Sequence, residues 1–345
     1  MLWVKVRSAA DLIAAVPYLI GFHPETCLVG VGVRGGRLTF AARVDLPPVD
    51  AGVVVLGMLT RQLAAVVAHQ RVQAAAVIGY GPPDRVDPAV RVAADAFVAA
   101  GLTVHDVLRV TDGRYWSYVC ENPDCCPPDG TPFDVSKSPV AATFAYAGQV
   151  ALPDRETLVR QLAPVGGLTR ESMRQATARA EVRLLGLLAP AGSPAEVDSM
   201  TTAIGEQAVT EALARYRQGE RPSDDDVAWL TLLLTSTEVR DFAWRQIVEP
   251  EPHVGLWSEA VRRAEPDLVP APASLVAFAA WRAGQGALAL VAVERALRAD
   301  PAYSLALLMD EVLAGAVPPS TLDGWPEVRP GRRRRSRRTK PSRAQ

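Results

Sequence analysis

Three of the four cysteines in this 345-residue chain fall within seven positions, in Trp116-Ser117-Tyr118-Val119-Cys120-Glu121-Asn122-Pro123-Asp124-Cys125-Cys126-Pro127-Pro128. Thiols this close can share one task, and three chemistries fit. Thiolates are ligands of tetrahedral zinc, which takes four donors, so Cys120, Cys125 and Cys126 would need Cys27, His23 or His105 brought to them by folding. The adjacent pair Cys125-Cys126 departs from the two-residue spacing of the common zinc knuckle. A disulfide or redox pair between Cys120 and Cys125 or Cys126 is the second reading; it requires the loop to bend back, and the neighbouring acids Glu121 and Asp124 oppose thiolate formation. Plain packing is the third, because a free cysteine behaves as a small apolar side chain.

Other reactive side chains cluster where strands end. Arg43 and Asp45 stand in Ala42-Arg43-Val44-Asp45-Leu46-Pro47, and Tyr80 in Ile78-Gly79-Tyr80-Gly81-Pro82. Open α/β sheets bind ligands beyond the carboxyl ends of their strands, so these three would line an enzyme's crevice if the two strands are neighbours. The competing reading is structural, with Arg43 paired to Asp45 and the acid turning the chain. His23, in Gly21-Phe22-His23-Pro24-Glu25, is an acid-base or ligand candidate in a turn. Gly30-x-Gly32-x-x-Gly35 has dinucleotide-binding spacing, but Leu38-Thr39-Phe40-Ala41 continues as a strand where a helix must open, which assigns the glycines to a hairpin and to bulges or close backbone approach. Ser223-Asp224-Asp225-Asp226 reads as a helix cap in preference to a magnesium site. There is no nucleophile elbow, P-loop or kinase signature.

The elements that must position these groups read as an α/β N-terminal domain, a mixed sheet with helices over residues 1–137, followed by an all-α C-terminal helical domain over 138–316. A Pro-rich connector and an Arg-rich tail, 317–345, complete the chain. Ser8 to Asp11 opens a helix that Pro17 should stop within two turns. Cys27 to Val33 and Leu38 to Leu46 form a hairpin across Gly35-Gly36, and Thr103 to Val110 with Tyr115 to Cys120 a second one across Asp112-Gly113. Helices are predicted at Val53 to Gln70 and Pro88 to Ala100, with a buried strand at Ala74 to Tyr80 between them. Pro123 to Pro139 is a linker or functional loop. Beyond it, Asp154 and Thr169 suit N-caps, Ser193-Pro194 opens a helix to Arg217, and Pro222-Ser223 opens another. Gly286 to Pro301 has the spacing of half a tetratricopeptide repeat, a helical hairpin suited to a protein-binding face. The tryptophans Trp229, Trp244, Trp257 and Trp281 are predicted to be core, and Val317 to Pro330 extended.

A net charge of −1 conceals an asymmetry: Gly331 to Gln345 holds seven Arg, one Lys and no acid, leaving 29 basic against 38 acidic residues in the body. Arg332, Arg333, Arg334, Arg335, Arg337 and Arg338 form a tail suited to nucleic acid or an acidic partner through counterion release, without interleaved aromatic residues to stack on bases. The clustered cysteines are not a secreted disulfide framework, no leader is apparent, and the longest apolar runs fall short of a membrane span, which together predict a cytoplasmic protein off the membrane. The leading expectation is a binding or regulatory protein whose helical domain meets a protein partner, with a structural or metal-supported cysteine loop. An enzyme using the strand-end crevice and a nucleic-acid-associated protein using the tail are the alternatives.

Ser8-Ala-Ala-Asp-Leu12, Pro17-Tyr-Leu-Ile-Gly-Phe-His-Pro-Glu25, Ala42-Arg-Val-Asp-Leu-Pro47, the Trp116 to Pro128 segment, Phe278-Ala-Ala-Trp-Arg-Ala-Gly284 and Asp300-Pro-Ala-Tyr-Ser304 resemble the actinobacterial domain of unknown function 4192 family. The resemblance spans nearly the whole folded chain and implies a bacterial cytosolic protein. It supplies no reaction, cofactor or catalytic residue.

Overall fold

A computed structural model describes residues 5–325; the tail arginines Arg332 to Arg338 lie outside the described residues. The N-terminal half contains α1 (Ala9–Ile20), β1 (Cys27–Arg34), β2 (Arg37–Asp45), α2 (Gly52–His69), β3 (Ala74–Tyr80), α3 (Pro83–Ala99), β4 (Val104–Thr111), β5 (Arg114–Ser117) and β6 (Thr131–Pro132). The helices that follow are α4 (Pro139–Tyr146), α5 (Arg155–Arg160), α6 (Gly167–Leu188), α7 (Pro194–Arg217), α8 (Asp224–Leu233), α9 (Thr237–Arg245), α10 (Pro250–Arg263), α11 (Pro270–Arg282), α12 (Gly286–Ala299) and α13 (Ser304–Ala314).

The six strands form one sheet in the order β2-β1-β3-β4-β5-β6, with β3 and β4 parallel and every other pair antiparallel. Both hairpins close on two residues with positive φ, Gly35-Gly36 and Asp112-Gly113, as a primed turn requires. Side chains alternate across the sheet. Leu28, Val77 and Val107 face α2 and α3, packing with Leu63, Val67, Val86 and Phe97. On the opposite face, Val29, Ile78 and Leu108 join Ile13 and Val16 of α1 in a cluster that continues through the helical half to Met309. Gly30 allows the first packing: a Cβ there would stand 2.7 Å from Phe97 and 2.9 Å from Val67. Gly30 and Gly32 are packing positions, Gly35 belongs to the turn, and the bulge expected among them lies at Gly32/Val33.

Several local expectations change. Pro17 does not end α1, which runs to Ile20 and stops at Gly21, whose φ is +87°. Burial of Val16, Pro17, Ile20 and Phe22 offsets the lost backbone bond, a cost of about 3 kcal/mol. Helix α3 begins at Pro83, not Pro88, because the first turn has no use for the missing N–H. Thr169 lies inside α6, where Gly166 is the N-cap, whereas Asp154 caps α5 as expected. Ser223 and Asp226 form a capping box, so these acids serve α8 and its ion pairs with Arg215 and Arg263.

The start of the connector is packed instead of extended. Trp281 Nε1 donates to the Val317 carbonyl at 2.8 Å, Arg282 donates to the Leu322 carbonyl at 2.9 Å, and the Trp325 ring lies 5.3 Å from that of Trp244. Among the described residues one segment, Val49–His69, is long and apolar enough to cross a membrane by composition, a length that the uninterrupted apolar runs did not reveal. Its Leu63, Ala64 and Val67 are buried against the sheet, while Val53 and Val54 are exposed.

Candidate metal centre

The cysteine loop is built outward from β5. Asp87 of α3 holds Arg109 of β4 at 2.9 and 3.2 Å, and the Arg109 guanidinium lies 3.9 Å from the centre of the Trp116 ring. Tyr118 continues the pairing by donating its N–H to the Val107 carbonyl at 2.9 Å and its hydroxyl to Asp87. The chain then turns on Asn122, whose side-chain oxygen accepts from the Asp124 N–H at 2.9 Å and whose carbonyl accepts from the N–H groups of Cys125 (3.3 Å) and Cys126 (2.9 Å). This Asx turn brings the adjacent cysteines back toward Cys120.

The return limb is clamped. Trp116 Nε1 donates to the Pro128 carbonyl at 3.1 Å, Arg114 pairs with Asp129 at 3.0 Å, and Thr131 Oγ1 donates to the Cys125 carbonyl at 3.3 Å. Gly130, with φ of +80°, lies against Trp116; a Cβ there would be 2.5 Å from the ring.

The outcome is a sulfur cluster. Cys120 Sγ is 3.1 Å from Cys125 Sγ, Cys125 Sγ is 3.7 Å from Cys126 Sγ, and all three lie within 4.8 Å of one another. Tetrahedral bonds of about 2.3 Å from zinc to sulfur put ligand sulfurs about 3.8 Å apart, inside that range. The cluster can bind a metal. Hydrogen bonds from the Cys125 and Cys126 thiols hold Cys120 below its ordinary pKa, while donation to Cys120 raises Cys125 and pushes Cys126 up to about 12. Of the three thiols Cys120 is therefore the first to ionise, and a cation is what lets all three do so.

Among the described residues no fourth ligand atom joins the group. Cys27 is buried in the core beside Arg43, and burial pushes its thiol up to about 12. His23 is exposed, and its backbone N–H donates to the Leu152 carbonyl at 2.9 Å. Extending the β4/β5 register would place exposed His105 opposite Cys120, yet its ring stays outside the cluster.

Arg43, Asp45 and Tyr80 occupy the α1 face of the sheet, but β1 separates their strands: Cys27 is the register partner of both Asp45 and Tyr80. Arg43 forms an ion pair with Asp45 and lies 5.3 Å from the Phe22 ring centre. A cleft of about 410 Å³ opens at the carboxyl ends of β3 and β4. Tyr80 lines it together with Glu25, Thr26, Thr111 and Asp112, whereas Arg43 and Asp45 do not. The Tyr80 hydroxyl is buried and has no hydrogen-bond partner.

Sequence reasoning missed the clamp of Arg109, Trp116 and Gly130, for which the one local signal is the Asp129-Gly130 turn after two prolines. None of the curated proteins and none of the solved structures matches the chain. The family model described as "Domain of unknown function (DUF4192)" matches residues 10–320, and the chain belongs to that family.

Proposed function

We propose that this is a cytoplasmic binding or regulatory protein in which Cys120, Cys125 and Cys126 hold zinc, with the fourth coordination position left to an exchangeable ligand or a partner's side chain. The carrying observation is the sulfur triangle itself, with all members within 4.8 Å and none disulfide-bonded. Soft thiolates favour zinc or monovalent copper over magnesium or calcium. Structural zinc sites close with four protein donors, whereas three donors leave an open position. The helical half supports the partner role, since α6 leaves Val182 and Leu185 each 71% exposed.

The test is elemental analysis of protein purified under reducing conditions without chelator. About one zinc per chain is expected, lost in Cys120→Ser and Cys126→Ser and retained in His105→Ala. Absence of metal refutes the reading, and loss in His105→Ala would replace the open site with a closed structural one. The strand-end cleft favours a second reading, an enzyme, because Tyr80, whose buried hydroxyl has no hydrogen-bond partner, is one of its lining residues; a small molecule retained through purification and lost in Tyr80→Phe would support that alternative.

A further inference from the structure

The three sulfurs are not equivalent. Cys120 and Cys125 lie 3.1 Å apart, closer than Cys125 and Cys126, and a disulfide requires about 2.05 Å, a closure of about 1 Å. The Asn122 turn already folds the six-residue ring that such a bond would close. Cys126 is 3.7 Å from Cys125 and shares a peptide bond with it, so their bridge would have to distort the connecting backbone. Cys125 is exposed and Cys120 half-buried, so a small oxidant can reach both.

We propose that Cys120 and Cys125 are a redox pair that gates the metal site: hydrogen peroxide converts them to a disulfide and the ion is released. The Cys120 sulfur attacks one peroxide oxygen; the O–O bond breaks, an S–O bond forms and hydroxide leaves. Cys125 sulfur then attacks Cys120 sulfur, forming the S–S bond as the second hydroxide leaves. Two sulfurs are oxidised by one electron each, the peroxide is reduced to two waters after protonation, and Cys126 remains as a single ligand, too few to hold zinc. A thiol reductant reverses the change. The gate rests on the zinc reading above.

The test uses the full chain loaded with zinc and titrated with hydrogen peroxide. A chromophoric chelator reads released metal, and differential alkylation with peptide mass spectrometry reads the pairing. Complete release is expected in step with a Cys120–Cys125 bridge, and reduction should restore binding. The metal-free Cys126→Ser variant should form the same bridge, which separates pairing from metal loss. Zinc retained under peroxide, a bridge that includes Cys126, or sulfinic acid at Cys120 without a bridge would each overturn the gate while leaving the zinc site standing. A chain that holds no zinc before peroxide refutes the site itself, and the gate with it.

Discussion

His253 lies inside α10 with 0% exposure, and neither ring nitrogen has a hydrogen-bond partner. Burial, reinforced by the nearby Arg217 charge, lowers its pKa from 6.5 to about 4. Because the folded value is the depressed one, its effect on stability is negligible above pH 6.5, where both states are neutral. As the pH falls through that value the unfolded chain takes up the proton first, and the penalty grows until the folded histidine titrates near 4. Linkage sets the loss between neutral pH and about pH 4.5 at about 2 kcal/mol. Replacing His253 with Leu removes the titration and two unsatisfied nitrogens, so the variant should match or exceed the wild type at neutral pH. Urea unfolding followed by tryptophan fluorescence at both pH values isolates the effect, because the acidic residues that also titrate are common to both proteins. The gap in stability should widen by about 2 kcal/mol toward pH 4.5. Parallel losses in the two proteins would refute the assignment of a neutral, partnerless His253.

Two further substitutions test the elements that hold the site. Gly130→Ala places a Cβ against Trp116 and forces an L-residue to φ of +80°; together with loss of the Trp116–Pro128 bond this costs about 2 kcal/mol, so zinc affinity in a chelator competition should fall on the order of 30-fold. Unchanged affinity would mean that the Trp116 clamp does not position the cysteines. Gly30→Ala overpacks the sheet against Phe97 and Val67 and should destabilise the α/β half by about 1–3 kcal/mol in chemical denaturation, and an unaffected midpoint would contradict the close approach of α2 and α3.

What could be read along the chain was local chemistry. Ala74–Tyr80 alternates between two apolar faces, Gly35-Gly36 and Asp112-Gly113 permit positive φ, and Ser193-Pro194 caps and starts a helix; each signal lies within its own element. Strand order is different, because pairing is decided by burial between segments distant in sequence. Inserting β1 between β2 and β3 puts Cys27 between Asp45 and Tyr80, giving Arg43 to an ion pair with Asp45 and leaving Tyr80 alone of the three at the cleft. Pro17 and the Val317 to Trp325 segment illustrate the same point, since apolar burial overrode a helix breaker in the first and drew a proline-rich stretch onto Trp244 and Trp281 in the second. The cysteine cluster sits between these cases. Its three members are visible as neighbours, but their convergence depends on the Asn122 turn and on a Trp116 held by Arg109 and, through it, by Asp87 of α3. That dependence makes the sulfur triangle a product of the sheet's far edge and not of the loop alone, which is why disturbing Gly130 should reach the metal without touching a ligand.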